Sequence, residues 1–435
     1  MKHLERYELS EDMASTTPND KGLLFIHPKF GKVADLYQEN FQIVGTYVDT
    51  LRQLYRGAMN LNFLTDCEHA IEYGEKCFRF LGYDWLIGKS SKVSGYQFRL
   101  QNNQLGVIIF FKMFHSKAES IGSHLKIECS PWFLDNRPPK KVDQFLDKIA
   151  ARILKCAEPH YPAIHLAVDM QGWKPDNDLS ERMVCRSKRI AQFNGIDKAE
   201  FHFSEISSIY DRSQSFKFGS PSAVQLAIYN KTIQARTIDK FDYMEHKWNE
   251  STKLKNGSSG YDSEQDVFRV ELRFHHSVIE QFALGTCNAE TGEIGVKMNT
   301  YSDIINHIQA LWGYGLKSFK LKFNSNYIDP IWSILQDDIM FRFPEPSYTD
   351  NLHYKRYYKK ATSFSGKNYQ LYLGNFLSAC ARKAEPFTKV LRELQRSMIW
   401  EDIALHYERK QTTENQLIER LKDSYQERIL MGVSV

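Results

Sequence analysis

Residues 216–231 combine a glycine turn, a strand and two side chains that could act on a phosphodiester. The turn lies at Gly219, and the strand after it ends on residues 228–231, which read Ile-Tyr-Asn-Lys. Alternation along a strand places Tyr229 and Lys231 on the same face. The Tyr229 oxygen could then attack phosphorus as a nucleophile, while Lys231 favours phenolate formation or holds a phosphate oxygen. The same pattern also fits a strand end where the phenol only finds a hydrogen bond beside a solvated lysine.

Candidate metal ligands lie on the strand predicted over residues 163–169. Alternation places His165, Ala167 and Asp169 on one face and apolar side chains on the other. An imidazole and a carboxylate that point at one site are competent ligands for a hard or borderline divalent cation. A strand with one polar face, on which His165 is satisfied by hydrogen bonds, is the alternative.

A third strand, predicted over residues 267–274, carries charged side chains at alternate positions. Arg269, Glu271 and Arg273 share one face of it. A carboxylate between two guanidinium groups is held ionised, and the guanidinium groups can bind phosphates. A ladder of ion pairs on a solvated face would give the same spacing.

Residues 351–383 are the most basic stretch of the chain. They contain seven lysines and arginines and no acidic residue, interleaved with tyrosine and phenylalanine. Lysine and arginine bind phosphates and aromatic rings stack on bases, so this composition is typical of a nucleic-acid-binding surface. The densest cluster is formed by Lys355, Arg356, Lys359 and Lys360. A solvated basic face is the competing interpretation.

The overall composition sets limits on the class of protein. The chain has 435 residues and a net charge of +4, which suits two or three globular domains and hints weakly at a polyanionic partner. Its seven cysteines show no paired spacing, which indicates reduced thiols in a cytoplasmic protein and argues against a zinc ribbon. The amino-terminal residues do not resemble a signal peptide, and no apolar run reaches the roughly 18 residues of a membrane span.

The hydrophobic periodicity predicts an α+β protein with an antiparallel-rich sheet and helices on one face. Residues 1–35 are expected to be a partly ordered lead-in. Helical spacing over residues 36–83 is followed by two blocks of strands that each end in a helix, so residues 36–300 are predicted to form one domain. Residues 301–435 are predicted to form a separate helical DNA-binding or accessory region.

Three short motifs, in order, resemble the rolling-circle replication initiators of plasmids and phages, the replication initiation factor (Rep_trans) family. They are Leu166-Ala167-Val168-Asp169, then Gly219-Ser220 with Ile228 to Lys231, and finally Arg269 to Arg273. The resemblance covers about residues 80–285. It implies an HUH-endonuclease-like catalytic domain, with circular permutation left open. The chain departs from the family pattern at Ala163, His165, Ala227 and Gln234, and it lacks a His-hydrophobic-His pair.

The resemblance implies a nickase and strand transferase that cuts one DNA strand at an origin. Tyr229 would join to the 5′ phosphate, Lys231, Arg269 and Arg273 would hold phosphate oxygens, and Mg²⁺ or Mn²⁺ would be bound by Glu271, with His165 and Asp169 as further ligands. Expected partners are duplex and single-stranded origin DNA, and the resemblance also suggests a host helicase, a single-strand binding protein and a homodimer. No membrane partner is expected.

Two other functions remain open at this stage. A mobilisation relaxase would use the same chemistry at a transfer origin. A non-catalytic origin-binding or regulatory protein would instead depend on the basic stretch at residues 351–383 for its affinity.

Overall fold

The chain folds into two compact units, Met1–Tyr357 and Tyr358–Val435, in a computed structural model. The structure describes residues 4–9, 24–36, 40–185, 190–193, 215–253, 260–341, 351–357, 366–408 and 412–431. Within these residues, no helix is both long and apolar enough to cross a bilayer.

The first unit contains both strands and helices. Its strands are β1 (Glu8–Leu9), β2 (Leu24–His27), β3 (Gly31–Asp35), β4 (Gln42–Met59), β5 (Cys77–Phe80), β6 (Tyr83–Lys89), β7 (Tyr96–Asn102), β8 (Val107–Met113), β9 (Gly122–Cys129), β10 (Leu154–Gln171), β11 (Met183–Cys185), β12 (Ile190–Phe193), β13 (Ser215–Gly219), β14 (Val224–Asn230), β15 (Phe268–Phe274), β16 (Cys287–Asn288), β17 (Phe319–Leu321) and β18 (Leu352–His353). Its helices are α1 (Leu61–Glu72), α2 (Pro131–Asp135), α3 (Pro139–Ile153), α4 (Leu179–Arg182), α5 (Lys231–Thr237), α6 (Phe241–Ser251), α7 (His276–Gly285), α8 (Tyr301–Ile304), α9 (Ile308–Ser318) and α10 (Pro330–Asp337).

Among the described residues, eleven strands form one antiparallel sheet. Their order is β12-β13-β14-β15-β10-β4-β9-β8-β7-β6-β5. The two central strands, β4 and β10, are each 18 residues long and pair with each other. The α+β class with a large antiparallel sheet, predicted from the periodicity, is therefore confirmed.

The main hydrophobic core lies on one face of this sheet. Leu166, Leu226 and Leu272 lie directly opposite one another on β10, β14 and β15 and point into it. Helices α3, α7 and α9 cover this face. Helix α9 approaches closely at Gly315, where a Cβ atom would lie 2.4 Å from Leu272 Cδ1, so glycine permits the contact.

A smaller core lies on the opposite face of the sheet. Met244 and Trp248 of α6 pack there against Val44 and Val267. Helices therefore cover both faces, and the prediction of helices on one face only is wrong. This second layer matters for function because it covers part of the face that carries the polar strand residues.

The second unit is helical, as its apolar spacing predicts. Its helices are α11 (Gly366–Arg382), α12 (Phe387–Gln395), α13 (Trp400–Glu408) and α14 (Glu414–Met431). One side chain from each helix illustrates the shared core, which includes Leu373, Val390, Ile403 and Leu417. Amphipathic helices bury such apolar stripes against one another, which is what stabilises a unit of this size.

Two boundaries differ from those predicted. Residues 36–83 are mainly extended, because β4 occupies Gln42–Met59 and only Leu61–Glu72 is helical. The units divide after Tyr357 rather than at residue 300, since α8, α9 and α10 contribute their apolar side chains to the main core. The sequence pattern also predicts a strand around residues 199–206, which lie outside the described residues.

Candidate functional site

A strip of polar side chains crosses the sheet on the face opposite the main core. The register produces three cross-strand rows on β10, β15 and β14, which are His165–Arg273–Gln225, Ala167–Glu271–Ala227 and Asp169–Arg269–Tyr229. Glu271 thus stands between two alanines. The small neighbours leave space for the side chains of the adjacent rows to converge on its carboxylate.

Three side chains hydrogen-bond to the Glu271 carboxylate, which is almost fully buried. His165 Nδ1 lies 2.9 Å from Oε1, Arg273 Nε donates to Oε1 at 2.8 Å, and the Tyr229 hydroxyl donates to Oε2 at 3.0 Å. Burial alone would raise the pKa of Glu271, but the charge of Arg273 and the hydrogen bond from His165 hold that pKa well below its ordinary value. Glu271 is therefore an ionised acceptor at neutral pH, and the sequence-predicted residues Tyr229, His165 and Arg273 all reach it.

Asp49 completes this group and was not anticipated from the sequence. Thr50 lies opposite His165 and Val48 lies opposite Leu166, so Asp49 is the extra residue of a β-bulge in β4. Asp49, His165 and Glu271 each offer a ligand atom, and these atoms all lie within 4.8 Å of one another. The bulge delivers a second carboxylate to the site, and no alternating pattern in the sequence signals it.

Asp169 occupies a different environment from the one predicted. Arg269 donates to its two carboxylate oxygens from Nε at 2.6 Å and from Nη2 at 2.7 Å. The indole N–H of Trp248 also donates to it, at 2.8 Å. Asp169 is fully buried and committed to these donors, so the structure does not place it with the metal-ligand group.

Arg269 also differs from its predicted role as a phosphate-binding residue. Its side chain is 1% exposed, and its remaining amino group pairs with Asp49. It therefore bridges the buried Asp169 carboxylate and the half-buried Asp49 carboxylate instead of facing the solvent. Charge-assisted hydrogen bonds of this kind fix geometry as well as charge, so Arg269 orients Asp49 towards the other two candidate ligands.

The Tyr229 phenol is half-buried and lines a cleft beside Glu271. Burial, together with the negative charge of Glu271, raises the pKa of Tyr229 well above its ordinary value. The phenol is accordingly neutral at physiological pH. Nucleophilic attack requires added positive charge near its oxygen, which cations around the cleft could supply.

Lys231 does not end a strand but begins helix α5. Its ammonium donates to the Gln234 side chain at 2.8 Å, and burial followed by the nearby charge of Arg269 lowers the pKa of Lys231 to about 8. Asn230 caps this helix by accepting a hydrogen bond from the Ile233 N–H at 3.0 Å. The cap turns the chain into helix α5 after Asn230, so Lys231 occupies the first turn of that helix and is not the next residue along the strand face.

The cleft has a volume of about 130 Å³. Besides the site residues, its lining includes the basic side chains Arg52, Lys217 and Arg273. Two of these come from β4 and β13, the strands that pair with the two outer strands of the polar strip, β10 and β14. Positive charge on the walls of a cleft attracts anions and raises their local concentration, which suits a phosphate group.

The donor set fits a divalent cation. Two carboxylates and one imidazole are ligands that Mg²⁺ or Mn²⁺ accepts, and Asp49 and Glu271 bring two negative charges. Burial lowers the pKa of His165, so its imidazole is neutral, as a ligand must be. Burial alone would raise the pKa of Asp49, but the charge of Arg269, with that of Lys231, holds that pKa below its ordinary value, so Asp49 also stays ionised.

The basic stretch at residues 351–383 is divided between the two units. Lys355 is exposed, whereas Arg356 donates to Gln281 Oε1 from Nε at 2.8 Å and to the Tyr314 hydroxyl at 3.1 Å. Arg356 is therefore an internal brace of the first unit and not a phosphate ligand. Lys359 and Lys360 lie outside the described residues, and the division of the two units falls between Tyr357 and Tyr358.

Comparison with known proteins finds a relative in a bacteriophage. The chain is 37% identical over 399 residues to the uncharacterized protein ORF430 of Pseudomonas phage Pf1, and the match covers 91% of this chain and 90% of that protein. No family model matches the chain. No solved structure matches it.

Proposed function

The chain belongs to the family of ORF430 from Pseudomonas phage Pf1, and we propose that it is a rolling-circle replication initiator that nicks DNA through Tyr229. Under this proposal the first unit is an HUH-endonuclease-like catalytic domain. The observation that carries the proposal is the hydrogen bond of 3.0 Å between the Tyr229 phenol and Glu271, a member of the metal-ligand group Asp49, His165 and Glu271. A nucleophile, a cation site and a basic cleft come together at this point.

The reaction follows from these positions. The Tyr229 phenol loses its proton to solvent as its oxygen attacks phosphorus and forms a tyrosyl phosphodiester with the 5′ side of the nick, while the bond from phosphorus to the 3′ oxygen breaks. The departing 3′ oxygen takes up a proton and becomes a hydroxyl that a polymerase can extend. The reverse attack rejoins the strand, and the ester keeps the energy of the broken bond, so no nucleotide cofactor is required.

The residues around Tyr229 have distinct roles in this proposal. Asp49, His165 and Glu271 would hold Mg²⁺ or Mn²⁺, which would polarise the phosphate when bound. Arg273 and Arg52 would bind phosphate oxygens at the wall of the cleft. Arg269, which also pairs with Asp169, would hold the metal ligand Asp49 in place. The phage source of ORF430 favours a replication initiator over a mobilisation relaxase, which would use the same chemistry.

The test is covalent attachment to DNA. Wild-type protein is incubated with Mn²⁺ and a supercoiled plasmid that carries the native locus, and the protein–DNA adduct is separated on a denaturing gel. Tyr229→Phe is expected to abolish the adduct while leaving DNA binding nearly unchanged, because it removes only one hydroxyl. Tyr47→Phe is the matched control, since its ring lies on β4 beside Arg269, 5.5 Å from the guanidinium carbon.

Full adduct formation by Tyr229→Phe would contradict the proposal and point to another nucleophile. EDTA is expected to stop the reaction of the wild type, and Mn²⁺ or Mg²⁺ to restore it. Undiminished activity in EDTA would remove the metal from the proposal.

A further inference from the structure

The face of the sheet that carries the cleft continues beyond β4 across β9, β8, β7 and β6. Two cross-strand rows of paired residues lie on this face. They are Arg52–Glu128–Ile108–Gln101–Leu86 and Leu54–Lys126–Phe110–Arg99–Gly88. The alternate residues of the same strands, such as Leu51, Ile127 and Ile109, lie in the main core. We call these two rows the flanking face.

The flanking face is continuous with the candidate site through Arg52. Arg52 lines the cleft, and its Nε lies 3.2 Å from Glu128 Oε1 on the neighbouring strand. Lys126 Nζ lies 3.0 Å from the same oxygen and 4.4 Å from the centre of the Phe110 ring. A chain of charged and aromatic contacts thus leads from the cleft out along the sheet.

The composition of the flanking face fits a single-stranded polyanion. Three cations, Arg52, Lys126 and Arg99, outnumber the one carboxylate, Glu128, and Arg99 is exposed. Apolar surface lies between the charges, at half-buried Phe110 and at Leu86, which is 55% exposed. Alternation of phosphate-binding cations with platforms on which bases stack is the composition of surfaces that bind single strands without sequence preference.

We propose that the flanking face binds the single-stranded nucleic acid that runs away from the scissile phosphate. Five neighbouring strands, at about 4.8 Å per step, give it a length of roughly 19 Å, enough for several nucleotides. This inference rests on the proposed function, because it takes the cleft at Tyr229 as the site of cleavage. It assigns the affinity for single-stranded nucleic acid to the flanking face on β4, β9, β8, β7 and β6, and not to the basic stretch at residues 351–383.

The experiment uses the full chain and fluorescently labelled oligothymidylates of graded length. Binding of wild type is expected to tighten with length and then level off. Arg99→Gln and Lys126→Gln are each expected to weaken binding of the longer oligomers by about three- to tenfold, and to flatten the dependence of log Kd on log salt by about 0.7 per lost phosphate contact. The control is Lys148→Gln on α3, an exposed lysine on the helix that covers the opposite face.

Adduct formation with Mn²⁺ on the plasmid that carries the native locus, measured in parallel, separates this inference from the proposed function. Lys148→Gln should form the adduct normally, and Tyr229→Phe should retain the length dependence of binding. If Arg99→Gln and Lys126→Gln bind all lengths like Lys148→Gln, the flanking face is only a solvated surface and the inference fails. If the length dependence persists but no adduct forms at Tyr229, the nickase proposal fails instead.

Discussion

The two ends of the polar strip have the same sequence pattern but lie in different environments. Arg269 and Arg273 lie four residues apart on one face of β15, and each pairs with a carboxylate. Arg269 is 1% exposed and lies between Asp169 and Asp49, whereas the Arg273 side chain is 19% exposed and lines the cleft. The first end is closed and the second is open to a ligand.

Helix α6 causes the difference. It packs on the closed end, where Trp248 donates its indole N–H to Asp169 and fills the space above the strand. Gly45, directly opposite Asp169, has no side chain because the Tyr47 ring occupies that space, with its hydroxyl 1.9 Å from where a Cβ atom would lie. Coverage by a second layer, and not strand alternation, decides which charged residues support the structure and which can meet a substrate.

The largest expected effect is the difference in stability between variants of the two arginines. Arg269→Met leaves the buried Asp169 and the half-buried Asp49 without their cation and should lower the free energy of unfolding by about 3–5 kcal/mol. Arg273→Met should cost about 2 kcal/mol, because Glu271 keeps its other hydrogen bonds and borders the cleft. Urea denaturation of both variants measures the difference. Equal losses would show that the closed and open ends do not differ as described.

Lys231 gives a pH-dependent comparison. Its pKa is lowered to about 8 from the usual 10.5, so between these values the unfolded chain binds the proton more strongly than the folded chain. The contribution of Lys231 to the free energy of unfolding should therefore rise with pH across that window, by up to about 3 kcal/mol. The difference in unfolding free energy between wild type and Lys231→Met, measured from pH 7.5 to 10.5, should show this rise. A pH-independent difference would mean that the lysine is solvated.

Metal affinity should distinguish the carboxylates themselves. Glu271→Gln and Asp49→Asn are expected to weaken Mn²⁺ binding at least about tenfold, since each removes a charged candidate ligand. Asp169→Asn is the matched substitution at the closed end, and it should change the affinity by less than about threefold among molecules that fold. Calorimetric titration with Mn²⁺ provides the measurement. A loss for Asp169→Asn as large as that for Glu271→Gln would return Asp169 to the ligand set.

The smallest expected effect tests the cover over the closed end. Trp248→Phe removes one N–H donor to Asp169 while Arg269 still holds both carboxylate oxygens, so it should cost about 1 kcal/mol. Mn²⁺ affinity should stay unchanged. Thermal unfolding and the same titration measure the two quantities together, and weakened Mn²⁺ binding at unchanged stability would contradict the structural role of Trp248.

Strand alternation made part of the site predictable. The faces of β10, β14 and β15 follow from their period of two, and His165, Tyr229 and Glu271 meet as their spacing predicts. Asp49 could not be found in this way. The apolar residues of β4 fall by chance at helical spacing, and a β-bulge, which depends on the pairing partner, turns Asp49 to the site.

Long-range contacts explain the other differences. Asp169 is covered by Trp248, 79 residues away along the chain, and no local pattern reports that contact. Arg356 belongs to a basic run in the sequence but is bound by Gln281 of α7. Helices α8, α9 and α10 look independent because they are helical, yet their apolar side chains pack in the main core and they belong to the first unit.

The most direct test of the central claim is to identify the residue that becomes linked to DNA. Wild-type protein is reacted with Mn²⁺ and the plasmid that carries the native locus, the adduct is digested with nuclease and trypsin, and the modified peptide is sequenced by mass spectrometry. The proposal predicts a nucleotide attached through phosphate to Tyr229. Attachment at any other residue, or nicked DNA without attached protein, would contradict it.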